Sequence, residues 1–306
     1  MLDSLIKGVD IIEDALRIFR KHPRLLLPLL ACWCLYAPVL VYFTFFFEWE
    51  RWPMLHQGLF GFLVTCFFAF IVAVSFLVLL ELIQQLEAGQ KLSVFRSLLD
   101  ALRRDLLKSM PIILFWACAW FLLMLIEAAV SKAGKRAARK GFSAENAARV
   151  LAGYDDVSLS EALFLALQKG IRMVVFLMLP AIAWEGKGPL AAIKRGSAVL
   201  KAHLAQLASG YVLTGLAAAF VYFPASLVFF VADHWQLDLP DPCWYVVIIY
   251  LAFAWSFSLF LEQLFMAELY MWHLRWEREC EYERSRGRHA PTLTEVRPPL
   301  LLSRTS

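Results

Sequence analysis

The sequence predicts an all-α, polytopic membrane protein: six transmembrane helices arranged as three hairpins, each preceded by an amphipathic helix lying in the membrane plane. Three observations predict it. Of 306 residues, 60% are hydrophobic and only 18% charged, which exceeds the apolar share of ordinary soluble domains. Six apolar stretches are long enough to cross a hydrocarbon core of about 30 Å. Basic amphipathic stretches precede the first, third and fifth of these, about 90 residues apart, which is the spacing of an internal repeat.

Leu5, Val9, Ile12, Leu16 and Phe19 recur at three- and four-residue steps, with Lys7, Asp10, Asp14, Arg17 and Lys21 between them. This pattern is the first in-plane helix. Asp3, Asp10, Glu13 and Asp14 interrupt the segment, and no cleavable apolar core follows, so the first span is expected to remain as an anchor. That span covers about 25–47, with a bend at Pro28 or Pro38. An acidic, aromatic turn, Glu48 to Pro53, leads to the second span at 59–81, which ends on Glu81.

After a break at Gly89 to Ser93, Phe95, Leu98, Leu102 and Leu106 form a stripe opposite Arg96, Asp100, Arg103 and Arg104. Asp14-Ala-Leu-Arg17 recurs here as Asp100-Ala-Leu-Arg103 and loosely as Ala191-Ala-Ile-Lys194. The third span, 111–130, carries Glu127. A polar insert at 131–160 opens on Lys132, Lys135, Arg136, Arg139 and Lys140 and holds a short helix at Ala144 to Leu151. The fourth span, 163–184, must include Lys169 and Arg172 to reach full length.

The chain then turns through Glu185-Gly-Lys-Gly-Pro189 into the third in-plane helix. Leu190, Ile193, Val199, Leu200 and Leu204 gather on one side, and Lys194, Arg195 and Lys201 on the other. The fifth span, 204–231, offers a small-residue face of Gly210, Thr214 and Ala218. The sixth covers 244–264, with Glu262 near its end. Residues 1–275 form a single membrane domain, and 276–306 is a disordered cytoplasmic tail rich in Arg, Ser and Pro.

Segments 1–24, 84–110, 186–206 and the stretch after 269 hold 5, 5, 4 and 7 basic residues, whereas 48–58 and 233–244 hold one and none. By the positive-inside rule both termini are cytoplasmic. Residues 132–169 hold seven basic residues yet fall outside by alternation. A five-span arrangement with one re-entrant segment stays open on that account.

The Leu179-Pro…Trp-Glu-Gly-Lys-Gly-Pro…Ile-Lys-Arg-Gly-Ser stretch and the Glu87-Ala-Gly-Gln90 break resemble a family of uncharacterised bacterial six-helix membrane proteins, a domain of unknown function. In that family a Pro…Glu-Gly-x-Gly-Pro…Ala-x-x-Arg-Ser pattern closes the fourth helix. More distantly the chain is similar to the membrane domain fused to some glycerophosphodiester phosphodiesterases. The resemblance spans about residues 10–275. This chain departs from it in having Lys-Arg-Gly-Ser where Arg-Ser would be direct, and in its 131–160 insert. The resemblance implies the six-helix fold in a bacterial inner (cytoplasmic) membrane; the family has no established activity.

Glu81, Glu185 and Glu262 are expected at similar depth, at the cytoplasmic ends of the even-numbered spans. They form either a ring that binds a cation or substrate, or structural pairs with basic residues such as Arg17, Arg103 or Lys194. Glu127 and Arg172, the most embedded charges, are expected to pair with each other, with a proton relay as the alternative. Arg17, Arg103, Lys194 and Arg195 are the candidate contacts to anionic lipid head groups. Asp233, His234 and Asp238 could hold a divalent ion in a turn. Neither the six histidines nor the six cysteines show metal or disulfide spacing, and Glu185 to Pro189 lacks the ending of a phosphate loop, so no cofactor is expected. The expected partners are anionic bilayer lipids and a membrane or cytosolic protein, not nucleic acid. The leading expectation is a non-catalytic scaffold or docking protein, with a lipid or solute transporter as the alternative.

Overall fold

The computed structural model describes residues 13, 16–130, 142–153, 159–292 and 295–296. Most of the first predicted in-plane helix, the basic cluster of the insert and the last residues of the tail lie outside that set. Among the described residues every regular element is helical. A 3-10 turn, Pro23–Leu26, leads into α1 (Leu27–Val41), which ends in a π turn, Tyr42–Phe46. Then come α2 (Met54–Glu87), α3 (Val94–Asp100), a second π turn (Ala101–Asp105) and α4 (Leu106–Val130). The remainder are α5 (Ala144–Ala152), α6 (Leu159–Ala183), α7 (Pro189–Ala202), α8 (Leu204–His234) and α9 (Asp241–Ser285). Among the described residues six helices are long and apolar enough to cross a membrane, the mark of a multi-pass membrane protein.

The bundle is built around α9. Its residues from Ser256 to His273 are buried on every side, the signature of a helix that other helices surround. Helices α1, α5, α6 and α8 pack on it, α1 packs on α2, and α4 lies between α2 and α6. Phe19 meets Phe257 edge-on at 5.1 Å, which brings the helical residues 16–21 against the same core. Gly210 of α8 lies so close to Phe265 that an added Cβ would sit 2.0 Å from the ring. That close approach uses the predicted small-residue face.

Three boundaries differ from expectation. The sixth span does not stop near 264, because α9 runs 45 residues. At ~1.5 Å per residue this is about 67 Å, twice a hydrocarbon core. Nor does order end at 276: the indole N–H groups of Trp272 and Trp276 donate to the carbonyls of Val296 (3.0 Å) and Pro291 (2.8 Å), folding the following chain back onto α9. Buried indoles need acceptors, and the tail supplies them. Finally, α3 joins α4 through the π turn with no break, where the sequence suggested a separate surface helix.

The α7 helix buries Ala192, Gly196 and Val199 and leaves Leu190 77% exposed. The middle of the predicted stripe, Ile193, Val199 and Leu200, packs on the core beside Ala192 and Gly196, while its ends, Leu190 and Leu204, are exposed. Outward on α8 stand Val212, Leu216, Phe220, Phe223, Leu227 and Phe230, spaced by three and four residues. At the far end, α5 is capped by Ser143, whose Oγ accepts from Asn146 N. It shares a second apolar cluster with Trp33, Phe229 and Trp244. Arg149 binds Asp233 there (3.0 Å), so the described part of the insert sits beside the acidic 233–244 turn.

Candidate functional site

Two polar centres hold four of the nine predicted charges, Arg172 with Glu262 and Glu185 with Arg195. The first lies mid-bundle. Lys169 and Arg172, three residues apart, share one face of α6 and point at Glu262 of α9. Arg172 Nη2 is 2.8 Å from Glu262 Oε2, and its Nε donates to the same oxygen at 3.0 Å. Lys169 Nζ stands 3.5 Å from Oε1, donates to the Tyr211 carbonyl at 3.1 Å and lies 4.8 Å over the Tyr211 ring. The Glu262 side chain is 5% exposed. A carboxylate between two cations, all bonded, is the arrangement that makes charge tolerable inside a bundle.

This centre corrects two expectations. Arg172 gives its bonds to Glu262 rather than to Glu127, which is half-buried near the end of α4. The reason is facing: the Lys169/Arg172 side of α6 is turned to α9, while its contact with α4 is aromatic, through Trp116 and Phe176. Nor do Glu262 and Glu185 share a depth. Arg172 falls near the middle of α6, Glu185 follows its last turn, and Glu185 meets α9 at Tyr270, eight residues or about 12 Å beyond Glu262.

The second centre is at the turn from α6 to α7. Gly186 adopts φ +63°, in the left-handed region that glycine tolerates, and reverses the chain. Glu185 receives Lys187 Nζ at 2.8 Å, Arg195 Nε at 3.2 Å and the Tyr270 hydroxyl. Arg195 forks onto Glu277 of α9, with Nη1 to Oε1 at 2.6 Å and Nη2 to Oε2, a bidentate geometry that fixes orientation as well as charge. His273 Nε2 stands 3.1 Å from Glu277 Oε1, and its Nδ1 meets His203 Nε2 at 2.8 Å, with Trp276 against both rings. Burial raises the Glu185 carboxyl, but the bonds from Lys187, Tyr270 and Arg195 outweigh it and hold the group below its ordinary range. The Glu277 bond raises the Arg195 guanidinium. Burial, then His273, push His203 down to about 4 against the opposing pull of Glu277.

Glu185 therefore pairs with α7, through Arg195 and not Lys194. Arg195 flanks the buried Ala192-Gly196-Val199 face, while Lys194 points outward. Arg17 pairs with Glu13 on its own helix at 2.9 Å, and Arg103 is exposed. Glu81 bonds none of these residues. It borders a cavity of about 330 Å³ with Asp100, Asp105, Arg96 and Arg104. Gln85 holds α3 against α2 there, donating to Ser97 Oγ and accepting from Ser93 N, both at 3.0 Å.

Tyr270, Glu277, Asp105 and the His203–His273 contact were not singled out from the sequence. Gln263, fully buried on α9 with no partner for either amide atom, was also missed. Its one signal was an amide inside an apolar run. Asp233 of the proposed ion-binding turn is taken by Arg149, and among the described residues no group of three His, Cys, Asp or Glu side chains is placed to hold a metal.

The fold and these buried charges define a multi-pass, helical membrane protein. No family model, curated protein or solved structure matches the chain.

Proposed function

We propose that the chain is a non-catalytic scaffold of the bacterial inner membrane, both termini cytoplasmic, that presents the α6–α7 end of its bundle to a membrane or cytosolic protein partner. Its six spans form three hairpins, α1–α2, α4–α6 and α8–α9, with basic residues ahead of each, Arg17, Arg103, and Lys194 with Lys201, that meet anionic head groups. The contacts within each of these pairs support that plan. The observation that carries the reading is the pairing of Arg172, Lys169 and Glu262 with one another. Charges already satisfied inside a bundle act as pins. The forked Arg195–Glu277 bond and the Glu185 hub likewise fix α7 against α9 and make that end a rigid platform.

The decisive experiment couples proteoliposome flux with affinity capture of the intact protein. A stoichiometric partner that is lost on Lys194→Glu/Lys201→Glu, with no solute flux, supports docking. Flux that disappears on Glu262→Gln overturns it. Cysteines placed at Lys194 and Arg103 should label from the cytoplasmic face of intact cells.

A second reading, transport, has one specific observation behind it. Ser256 and Gln263 lie seven residues apart on one side of α9, wholly buried, with unpartnered polar atoms. Such groups cost free energy in a bilayer core unless water or a solute meets them.

A further inference from the structure

Between α1, α2 and α3 runs an apolar groove of about 340 Å³. Two of its walls are the residues at three- and four-residue steps from Leu27 to Leu35 on α1 and from Phe70 to Val78 on α2; Val94, Leu98 and Leu102 make the third. Eight steps of helix cover about 12 Å, so the groove follows the axes of two spanning helices over that distance. Ser75 Oγ stands 3.3 Å from the Pro28 carbonyl, which sets the Val78 end of α2 beside Leu27.

The lining asks for hydrocarbon. Its one hydroxyl, on Ser75, is already engaged with the Ile71 carbonyl at 2.8 Å as well as with that of Pro28. The Cys32 thiol is 2% exposed, and the other lining side chains are apolar. Leu27 and Leu35 are 47% and 54% exposed, and Leu98 and Leu102 are exposed beside them, so the groove is open along its length. On spanning helices such an opening faces lipid tails, which lie along the same direction. Left empty, the slot would forfeit dispersion contacts on every wall.

A charge stands at the Leu27 end. Pro23–Leu26 is a 3-10 turn, in which side chains three apart eclipse, and the Leu27 N–H bonds the Arg24 carbonyl. The exposed Arg24 is therefore stacked over Leu27, one turn beyond the groove. A cation at the mouth of an axial hydrocarbon slot is complementary to a phospholipid with a negative head group. We propose that the groove is a binding site for one acyl chain of an anionic phospholipid, whose phosphate rests on Arg24. This adds a specific, stoichiometric lipid to the general head-group contacts of the chain. It depends on α1 and α2 spanning the membrane and not on partner docking: a chain that captures no protein can still hold the lipid.

The test uses the full chain in nanodiscs of phosphatidylethanolamine and phosphatidylglycerol, with a trace of phosphatidylglycerol carrying a diazirine on its acyl chain. After photolysis, peptide mass spectrometry should find adducts concentrated on 27–35, 70–78 and 94–102, above those on the exposed outward face of α8 from Leu216 to Phe230. Ala31→Phe, which fills the groove from its α1 wall, should abolish that excess; should it fail to fold, Leu98→Phe fills it from α3. Arg24→Gln should cut the preference for this probe over its phosphatidylethanolamine counterpart about fivefold, the worth of one basic residue near an anionic surface. Arg284→Gln, at the far end of α9, should leave the preference unchanged. Adducts no denser in the groove than on α8, with or without cross-links to a second copy, overturn the proposal. So does an excess that survives filling the groove, or equal labelling of the native groove by the two probes.

Discussion

The mid-bundle Glu262 and the π-turn Asp105 are both buried carboxylates near basic side chains, yet their situations are opposite. Glu262 is bonded on both oxygens, by Lys169 and Arg172 from the neighbouring α6. Asp105 has arginines in its cavity but keeps an oxygen with no partner. The difference teaches that charge inside this bundle serves two ends. Where cation and anion come from facing helices they lock those helices together; where carboxylates gather on adjoining turns, one carboxylate oxygen is left without a bond.

That contrast can be broken at its strongest point first. Glu262→Gln strands two buried cations, so thermal unfolding in detergent should reveal a loss of about 3–5 kcal/mol. The double variant Arg172→Gln/Glu262→Gln should lose less than the single, since one stranded cation is removed with the carboxylate. Equal loss in both would deny the pairing.

Next in size is a proton effect at the α6–α7 end. Burial, and then His273, push His203 down to about 4 in the folded chain from its ordinary 6.5, with Glu277 pulling the other way. Between those values the unfolded chain binds the extra proton, so stability falls as pH drops from 6.5 to 4 and then levels. At ~1.36 kcal/mol per unit the fall amounts to at most about 3 kcal/mol. In His203→Gln the unfolding temperature measured across that window should be flatter.

Gly210→Ala drives a methyl into the Phe265 ring and should cost about 1–3 kcal/mol by the same measurement, although alanine favours a helix. Smallest is Asp105→Asn. If its oxygen is unmatched in the protein alone, removing the charge should change stability by under about 1 kcal/mol in either direction. A loss as large as that for Glu262→Gln would erase the distinction.

Much of the architecture was legible because apolar length is one-dimensional. Runs such as 59–81 and 204–231 need no knowledge of partners to be recognised, and Lys169 and Arg172 had to fall inside the fourth helix for it to reach across. Pairing was less legible. Arg172 chooses Glu262 over Glu127 because of how α6 is rotated, and rotation is set by packing such as Trp116 on Phe176, 60 residues apart in the chain. Glu262 looked like a span end because charge usually marks one; here α9 continues because other helices surround it. His203 and His273 each read as isolated, since the 70 residues between them hide a 2.8 Å contact. Asp105 follows directly on the Arg103-Arg104 pair, and the π turn that ends at it lies where the side chain leaves solvent.

The burial of Ser256 to His273 on every side has a consequence for biogenesis. The ribosome delivers α9 after all the helices that enclose it. Until it arrives, the first five hydrophobic segments have no axle, and Lys169 and Arg172 enter the lipid with their counter-ion still unmade. Insertion of the last segment is thus the step that neutralises the interior and closes the barrel of helices, so the nascent protein must be held open, by the translocon or by lipid, until its final third has been translated.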